Sequence, residues 1–255
     1  MSYRKFIGGG LGWVLGGPIG GLVGFALGSF FDLAAQDDSE DNPVDRSRNT
    51  RAGAGNPRAS QTQSGDFVMS LLVLISAVMN ADGKVMRSEL DMVKAMLLRS
   101  YREDQVKQYL VILRELLKQQ VDVAGVCRQI RSNMAYSQRL ELLHILFRIS
   151  RADGEVSTGE LGLLEYIASH MGITTPDFMS LRAMFVVTPD SDYKILEIEP
   201  SASDEDVKKA FRRMAMKYHP DKLSGLGDQV RKESEEKFRR VQEAYESIKR
   251  KRGMA

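Results

Sequence analysis

The apolar positions past residue 65 recur at intervals of three and four residues, which is the period of a helix buried on one face. No segment of useful length alternates apolar and polar residues, as a half-buried strand does. The pattern therefore predicts an all-α protein. Changes in composition divide the chain into a glycine-rich apolar segment (1–31), a polar linker (32–65), a helical domain (66–188) and a C-terminal helical unit (190–255).

The segment 6–31 carries no charged residue, and glycine occupies every fourth position along it. It is longer than the roughly 20 apolar residues that a helix needs to span a bilayer. Glycines four apart share one helix face, where they allow a second helix to approach closely in lipid. We expect a transmembrane helix that contacts membrane lipid and can pair with a second copy through the seam Gly8, Gly12, Gly16, Gly20, Gly24 and Gly28. A flexible tail is the alternative, but Leu, Val, Ile and Phe fill positions where a flexible linker would have Ser or Gln.

The linker 32–65 is poor in apolar side chains and rich in Asp, Asn, Gly, Ser and Arg. Such a composition cannot bury enough apolar surface to offset the entropy lost on ordering. We therefore predict that this segment is disordered.

A repeated motif, ADGxVxxxEL, occurs in the helical domain at residues 81–90 and again at 152–161. Each copy follows an apolar helix, and its Asp-Gly pair is a turn signal. Ser157 and Glu160 have the spacing of a capping box for the helix that follows the second turn. The repeat thus predicts two helix–loop–helix pairs that pack their apolar faces together.

The motif also places two carboxylates in each loop, seven residues apart: Asp82 with Glu89, and Asp153 with Glu160. Calcium loops offer more oxygen ligands at closer spacing, so we interpret Asp as a turn residue and Glu as a residue of the first helical turn. Metal binding stays open as the alternative. The repeat resembles the TerB-like domain of tellurite-resistance proteins, in which such acidic loop residues have been considered for metal binding.

The last 65 residues predict three helices. The first begins near Asp192, the second is capped by Ser203, and the third spans about 229–250. The second helix carries an apolar stripe on one face, and Pro220 ends it. Five basic residues lie largely on its other faces: Lys208, Lys209, Arg212, Arg213 and Lys217.

The strings YKILEI, VKKAFRRMAMKYHPDK and KFRRVQEAYESI resemble the J-domain of DnaJ-type co-chaperones in order and spacing. The resemblance implies that His219, Pro220 and Asp221 trigger ATP hydrolysis in a DnaK-type partner. It also implies that the basic residues of the second helix dock on that partner. On this interpretation the chain is a co-chaperone, is not itself an enzyme and needs no cofactor.

The order of the three parts resembles the DjlA family, the membrane-anchored co-chaperones of bacteria. The charges that flank the apolar segment do not decide its orientation. Because a J-domain needs its ATP-bound partner, we expect a single-pass protein of the bacterial inner membrane with its C-terminal domains in the cytoplasm. Two other functions stay open: a metal- or stress-sensing scaffold with an accessory J-domain, and an oligomer-forming membrane protein.

Charge and cysteine content argue against one class of partner and exclude one kind of cross-link. The chain has 36 basic and 34 acidic residues, a net charge of +2. This balance argues against nucleic acid as a partner, because nucleic-acid-binding proteins usually carry a clear basic excess. Cys127 is the single cysteine, so no disulfide can form within the chain.

Overall fold

A computed structural model describes residues 17–22, 24, 64–81, 83, 85–219 and 228–254. The described residues contain helices and no strand, which confirms the predicted all-α class. The helical domain consists of α1 (Ser64–Met79), α2 (Arg87–Leu98), α3 (Glu103–Leu116), α4 (Val123–Asn133), α5 (Tyr136–Ser150), α6 (Thr158–His170) and α7 (Thr175–Phe185). The C-terminal unit consists of α8 (Ser191–Ile195), α9 (Asp204–Lys217) and α10 (Asp228–Arg252).

Helices α1 and α5 form the centre of the helical domain. Residues 71–76 of α1 and 141–147 of α5 are buried without interruption. A helix that is apolar on every side has to be surrounded, and α1 contacts α3, α4, α5 and α6. Helix α1 begins at Ser64, which lies at the end of the predicted linker.

The two copies of the repeated motif form equivalent loops between α1 and α2 and between α5 and α6. Gly83 has a φ of +74° and Gly154 a φ of +125°, values that side chains with a Cβ rarely adopt. The backbone of these turns therefore favours glycine at positions 83 and 154. Ser157 and Glu160 form the predicted capping box: Ser157 Oγ accepts from the Glu160 N–H at 3.2 Å, and Glu160 Oε2 accepts from the Ser157 N–H at 2.8 Å.

The C-terminal unit is a helical hairpin of α9 and α10 closed by the short α8. Helix α10 contacts both α8 and α9, and it also reaches α5 of the helical domain. The predicted third helix is confirmed within two residues at each end. Five residues, 186–190, connect α7 to α8, and these two helices contact each other.

The described part of the glycine-rich segment is a helical turn at residues 17–22. Its Ile19 N–H donates a hydrogen bond to Gln129 Oε1 of α4 at 3.0 Å, and Ile19 and Leu22 pack against the core. Among the helices that the structure describes, none is long and apolar enough to cross a membrane. Most of the predicted span and nearly all of the predicted linker lie outside the described residues.

Candidate functional site

Helix α9 carries the basic residues and leads into the His-Pro-Asp tripeptide. It begins after Ser203, whose Oγ accepts a hydrogen bond from the Asp206 N–H at 3.2 Å. This bond satisfies a backbone N–H that has no partner within the helix, as the sequence predicted. The acidic residues 204–206 complement the positive end of the helix dipole.

The apolar stripe of α9 attaches it to α10. Val207, Ala210 and Met214 are buried. The ring of Phe211 stacks on that of Tyr245, with 4.4 Å between the centroids. This packing fixes which faces of α9 remain available to a partner.

Arg252, at the end of α10, fastens that helix to the loop before α9. Its guanidinium donates to the carbonyls of Pro200 and Ala202, each at 2.6 Å, and to the Tyr193 hydroxyl at 3.1 Å. A guanidinium offers five donors in a fixed plane, which suits it to hold several oxygens at once. The hairpin is therefore closed at the end far from the tripeptide.

Three of the five predicted docking cations, those of Lys209, Arg212 and Arg213, are on exposed side chains of α9. Lys208 is half-buried. Arg213 Nη2 donates to the Leu196 carbonyl at 3.1 Å, which restrains this side chain against the end of α8. The structure therefore brings these four residues together on one helix surface.

Lys217 is placed differently from the other four. Its ammonium forms ion pairs with the carboxylates of Asp177, on α7, and Glu197, the latter at 2.6 Å. About a quarter of its side chain is exposed (24%). Its charge is therefore engaged within the protein, on the side of α9 that faces the helical domain.

His219 lies two residues after the end of α9 and is exposed. Its ring approaches that of Phe238 on α10 edge-on, with 6.4 Å between the centroids. Tyr218, one residue earlier, is buried with 3% of its surface exposed. The chain thus passes from a buried tyrosine to an exposed histidine in one step; Pro220 and Asp221 lie outside the described residues.

Three family models match consecutive parts of the chain. A model of the DjlA co-chaperone transmembrane domain matches residues 1–48, a model of the tellurite resistance protein TerB matches 68–183, and a model of the DnaJ domain matches 191–253. No solved structure matches the chain.

Two proteins named co-chaperone protein DjlA align with nearly the whole chain. The protein from Coxiella burnetii is 24% identical over 98% of both chains, and that from Photobacterium profundum is 25% identical over 98% of this chain and 99% of its own. The chain has a DjlA-like domain organisation. The predicted resemblance is confirmed, and 66–188 and 190–255 are called the TerB-like domain and the J-domain from here on.

Proteins named chaperone protein DnaJ match the J-domain alone. The protein from Fusobacterium nucleatum is 52% identical over 56 residues, which are 22% of this chain and 14% of that protein. The chain therefore spans only a small part of these relatives. The relatives that align with nearly the whole chain are named as co-chaperones, and the DnaJ proteins that match the J-domain alone are named as chaperones.

One ion pair between the TerB-like domain and the J-domain joins Asp177 to Lys217. Burial would raise the pKa of Asp177, but hydrogen bonds from Lys217, Tyr136 and Thr174 outweigh this and hold its pKa below the ordinary value. Burial would likewise lower the pKa of Lys217, but Asp177 and Glu197 raise it. Both groups are therefore charged at neutral pH.

A second ion pair between the domains joins Glu141 of α5 to Lys237 of α10. Their side chains are 0% and 2% exposed. Burial raises the pKa of Glu141, and Lys237 opposes that rise. His144 lies beside them, its Nδ1 3.9 Å from Glu141 Oε1, and burial together with Lys237, Arg148 and Arg240 lowers its pKa well below the ordinary value.

The glutamates that were metal candidates both lie at helix starts. Glu89 Oε2 accepts the Met86 N–H at 2.9 Å, just as Glu160 accepts the Ser157 N–H. Asp153 is exposed, and Asp82 lies outside the described residues. Within the described part of the chain, no three His, Cys, Asp or Glu side chains are grouped as a metal site would require.

Of the six seam glycines, the structure describes Gly20 and Gly24, both half-buried. Gly20 belongs to the helical turn whose Ile19 N–H donates to Gln129 of the TerB-like domain. Gly8, Gly12, Gly16 and Gly28 lie outside the described residues. Insertion of this segment into a bilayer would require that contact to be given up.

The sequence reasoning missed Asp177, Glu141 and Lys237, the charged residues that connect the two domains. Asp177 has a recognisable local signal, because it lies three residues after Thr174, whose Oγ1 accepts its N–H at 3.4 Å as a helix cap. Glu141 and Lys237 have no such local signal, because 96 residues separate them. From its neighbours in the sequence, each is expected to be a solvent-exposed charged residue.

Proposed function

We propose that this protein is a membrane-anchored co-chaperone, without enzymatic activity of its own, that recruits a DnaK-type chaperone and stimulates its ATP hydrolysis. One observation carries the proposal: an exposed histidine lies two residues after a helix whose exposed face is basic, within a matched DnaJ domain. The relatives named DjlA support the co-chaperone role.

The geometry supports two separate tasks for the J-domain. The exposed cations of α9 steer an acidic partner surface and fix its orientation, because complementary charge acts mainly on association rate and register. His219, with Pro220 and Asp221, then favours the partner conformation that hydrolyses ATP. Lys217 is left out of the docking face that we propose, because its ammonium is paired with Asp177 and Glu197.

The proposed stimulation of ATP hydrolysis is tested by measuring single-turnover hydrolysis by a bacterial DnaK, with the full chain of this protein supplied in lipid nanodiscs. Wild type should accelerate hydrolysis, and His219→Gln should abolish the acceleration. His170→Gln is the matched control, because His170 ends α6 of the TerB-like domain far from the motif in sequence. Normal stimulation by His219→Gln, or none by folded wild type, would refute the proposal.

Charge reversal tests the docking face. Arg212→Glu should raise the concentration for half-maximal stimulation, and added salt should weaken the wild type more than this variant. Arg128→Glu reverses an exposed charge on α4 and should change neither quantity. Equal effects of the two reversals would mean that net charge, rather than this helix face, governs docking.

Thiol labelling tests the proposed orientation with the C-terminal domains in the cytoplasm. Cys127 is fully buried, and burial raises the pKa of its thiol to about 12, so the native background is low. Ser201→Cys places a thiol in an exposed loop of the J-domain. A membrane-impermeant maleimide should label it only after spheroplasts are permeabilised; labelling of intact spheroplasts would contradict the orientation.

We also propose that the glycine seam pairs two copies in the membrane. Gly16→Leu and Gly24→Leu place bulky side chains on the seam and should reduce the dimer fraction in detergent, measured by sedimentation. Ala26→Leu adds similar bulk off the seam and should not. A monomeric wild type would end this part of the proposal while leaving the chaperone assay unaffected.

In the metal-sensing alternative, a cation would compete for glutamate oxygens that already accept capping hydrogen bonds in the repeat. A carboxylate oxygen that accepts a backbone N–H, as in Glu89 and Glu160, is less available to a cation. Calorimetric titration of the full chain with Ca²⁺, Mg²⁺ and Zn²⁺ separates the two functions. Binding heat that Glu160→Gln removes would favour metal sensing, and no heat would exclude it.

A further inference from the structure

The TerB-like domain contacts the J-domain on both sides of the His-Pro-Asp tripeptide in the sequence. Besides the two ion pairs, Ser180 Oγ of α7 donates to the Ile195 carbonyl of α8 at 2.8 Å. Arg148 and Glu236 form a further pair at 3.5 Å. The contacts involve all three helices of the J-domain, so the two domains share an extended interface.

Asp177 is held in that interface by side chains of its own domain. The Tyr136 hydroxyl donates to its carboxylate, and Thr174 Oγ1 donates to the same oxygen at 2.7 Å. All three residues belong to the TerB-like domain, and the Asp177 side chain is 5% exposed. The domain therefore presents a carboxylate whose position is set before the J-domain contributes Lys217.

The Lys217 ammonium forms ion pairs with that carboxylate and with the carboxylate of Glu197. Glu197 has a φ of +57°, a left-handed conformation that costs a residue with a Cβ free energy. Such strain persists where surrounding contacts over-determine the backbone, and it often marks functional sites. Here it places Glu197 against Lys217 and Arg213 at the same end of α9.

Lys217 is the last residue of α9, and His219 follows two residues later. The intervening Tyr218 is buried, and its N–H closes the helix on the Met214 carbonyl at 3.0 Å. Fixing Lys217 and Tyr218 fixes the point and the direction at which the chain leaves the helix. One of the two residues that precede His219 is therefore held by an ion pair with the other domain.

We propose that Asp177 of the TerB-like domain is a positioning residue for the His-Pro-Asp motif and acts through Lys217. This inference rests on the proposed function and deepens it. The J-domain acts on its chaperone partner with its motif held in place by the TerB-like domain, which gives that domain a direct part in stimulation.

The test compares the full chain in nanodiscs, wild type and Asp177→Asn, in two measurements. Hydrogen exchange of peptides covering 214–219 should accelerate about tenfold in the variant, as expected when a charge-assisted hydrogen bond is lost. Maximal stimulation of DnaK should fall by a similar factor, while the concentration for half-maximal stimulation stays near wild type. Asp91→Asn, at an exposed position of α2, is the matched control.

Three further variants separate positioning from general loss of stability. Tyr136→Phe removes one hydrogen bond to Asp177 without changing charge, and it should give a smaller effect in the same direction. If Asp177 acts through Lys217, adding Asp177→Asn to Lys217→Met should cause no further change in exchange or stimulation. An additive double variant would overturn that route.

The outcomes distinguish this inference from the proposed function. Unchanged exchange in Asp177→Asn overturns positioning whatever the ATPase result. Accelerated exchange with normal stimulation shows that Asp177 holds the helix end but does not serve the motif, which also overturns the proposal. If wild type fails to stimulate DnaK, the proposed function fails, and the exchange measurement still decides whether Asp177 holds the helix end.

Discussion

Removal of the Lys237 ammonium would leave Glu141 buried without its counter-charge. Lys237→Met keeps the length and apolar stem of the side chain, so the change is mainly one of charge. The Glu141 side chain is 0% exposed, and the nearby His144 is held neutral by its lowered pKa. The carboxylate then has to stay buried without that counter-charge or accept a proton.

Protonation limits the part of the cost that comes from the unpaired charge. At pH 7 the solution is 2.5 pH units above the ordinary glutamate pKa of 4.5. Protonating such a carboxylate therefore costs about 3 kcal/mol, at about 1.4 kcal/mol for each pH unit. This agrees with the roughly 3–5 kcal/mol expected when one partner of a buried pair is removed. At pH 5 the same limit falls below about 1 kcal/mol, because the carboxyl is then easily protonated.

Scanning calorimetry of the full chain in mild detergent measures this effect. At pH 7 we expect Lys237→Met to lower the melting temperature by about 6–12 °C, taking about 2–4 °C for each kcal/mol in a protein of this size. At pH 5 most of that difference should disappear. Adding Glu141→Gln removes the orphaned charge and should recover most of the loss at pH 7.

Two results would refute the reasoning. If Lys237→Met is as stable as wild type at pH 7, Glu141 does not depend on that ammonium. If the loss is the same at pH 5 and pH 7, it comes from packing rather than from the charge. Arg239→Met, on the exposed side of α10, should have little effect at either pH.

Two other predictions concern stability. The free energy of unfolding of wild type relative to His144→Gln should fall by up to about 2 kcal/mol from pH 6.5 to pH 5, measured by urea unfolding, because only the unfolded state protonates the imidazole there; a difference independent of pH would contradict this. Gly154→Ala should lower the melting temperature, because Gly154 has a φ of +125°. Gly162→Ala, in the interior of α6 where a Cβ would meet no other atom, should stabilise the protein by about 0.5–1 kcal/mol. Equal shifts in the two variants would contradict the backbone argument.

Local signals were sufficient to predict the helices and caps around the candidate site. Ser203 is a preferred capping residue, and the apolar stripe of α9 has the helical period, so both follow from neighbours within four residues. The capping box of Ser157 and Glu160 follows in the same way. The exposed position of His219 and of the adjacent cations also agrees with these patterns.

Contacts between the domains could not be predicted in this way. Lys217 has the same spacing as the other basic residues of α9, and only the approach of α7 distinguishes it. Lys237 reads as part of a charged, solvated helix face, because a lysine is rarely buried without a partner. The partner of each lies 40 to 96 residues away, beyond the reach of helical periodicity.

The interface between the two domains also bears on which segments of the chain can move relative to each other. Buried ion pairs contribute little net stability but demand strict geometry, and the connection between α7 and α8 is only five residues long. We therefore expect the TerB-like domain and the J-domain to move as one unit. If the segment 32–65 is disordered, as its composition predicts, it would act as the joint, because a flexible chain of its length has a root-mean-square span of about 30 Å. Membrane attachment would then raise the local concentration of a complete two-domain unit, with its motif already positioned, rather than that of a freely moving J-domain.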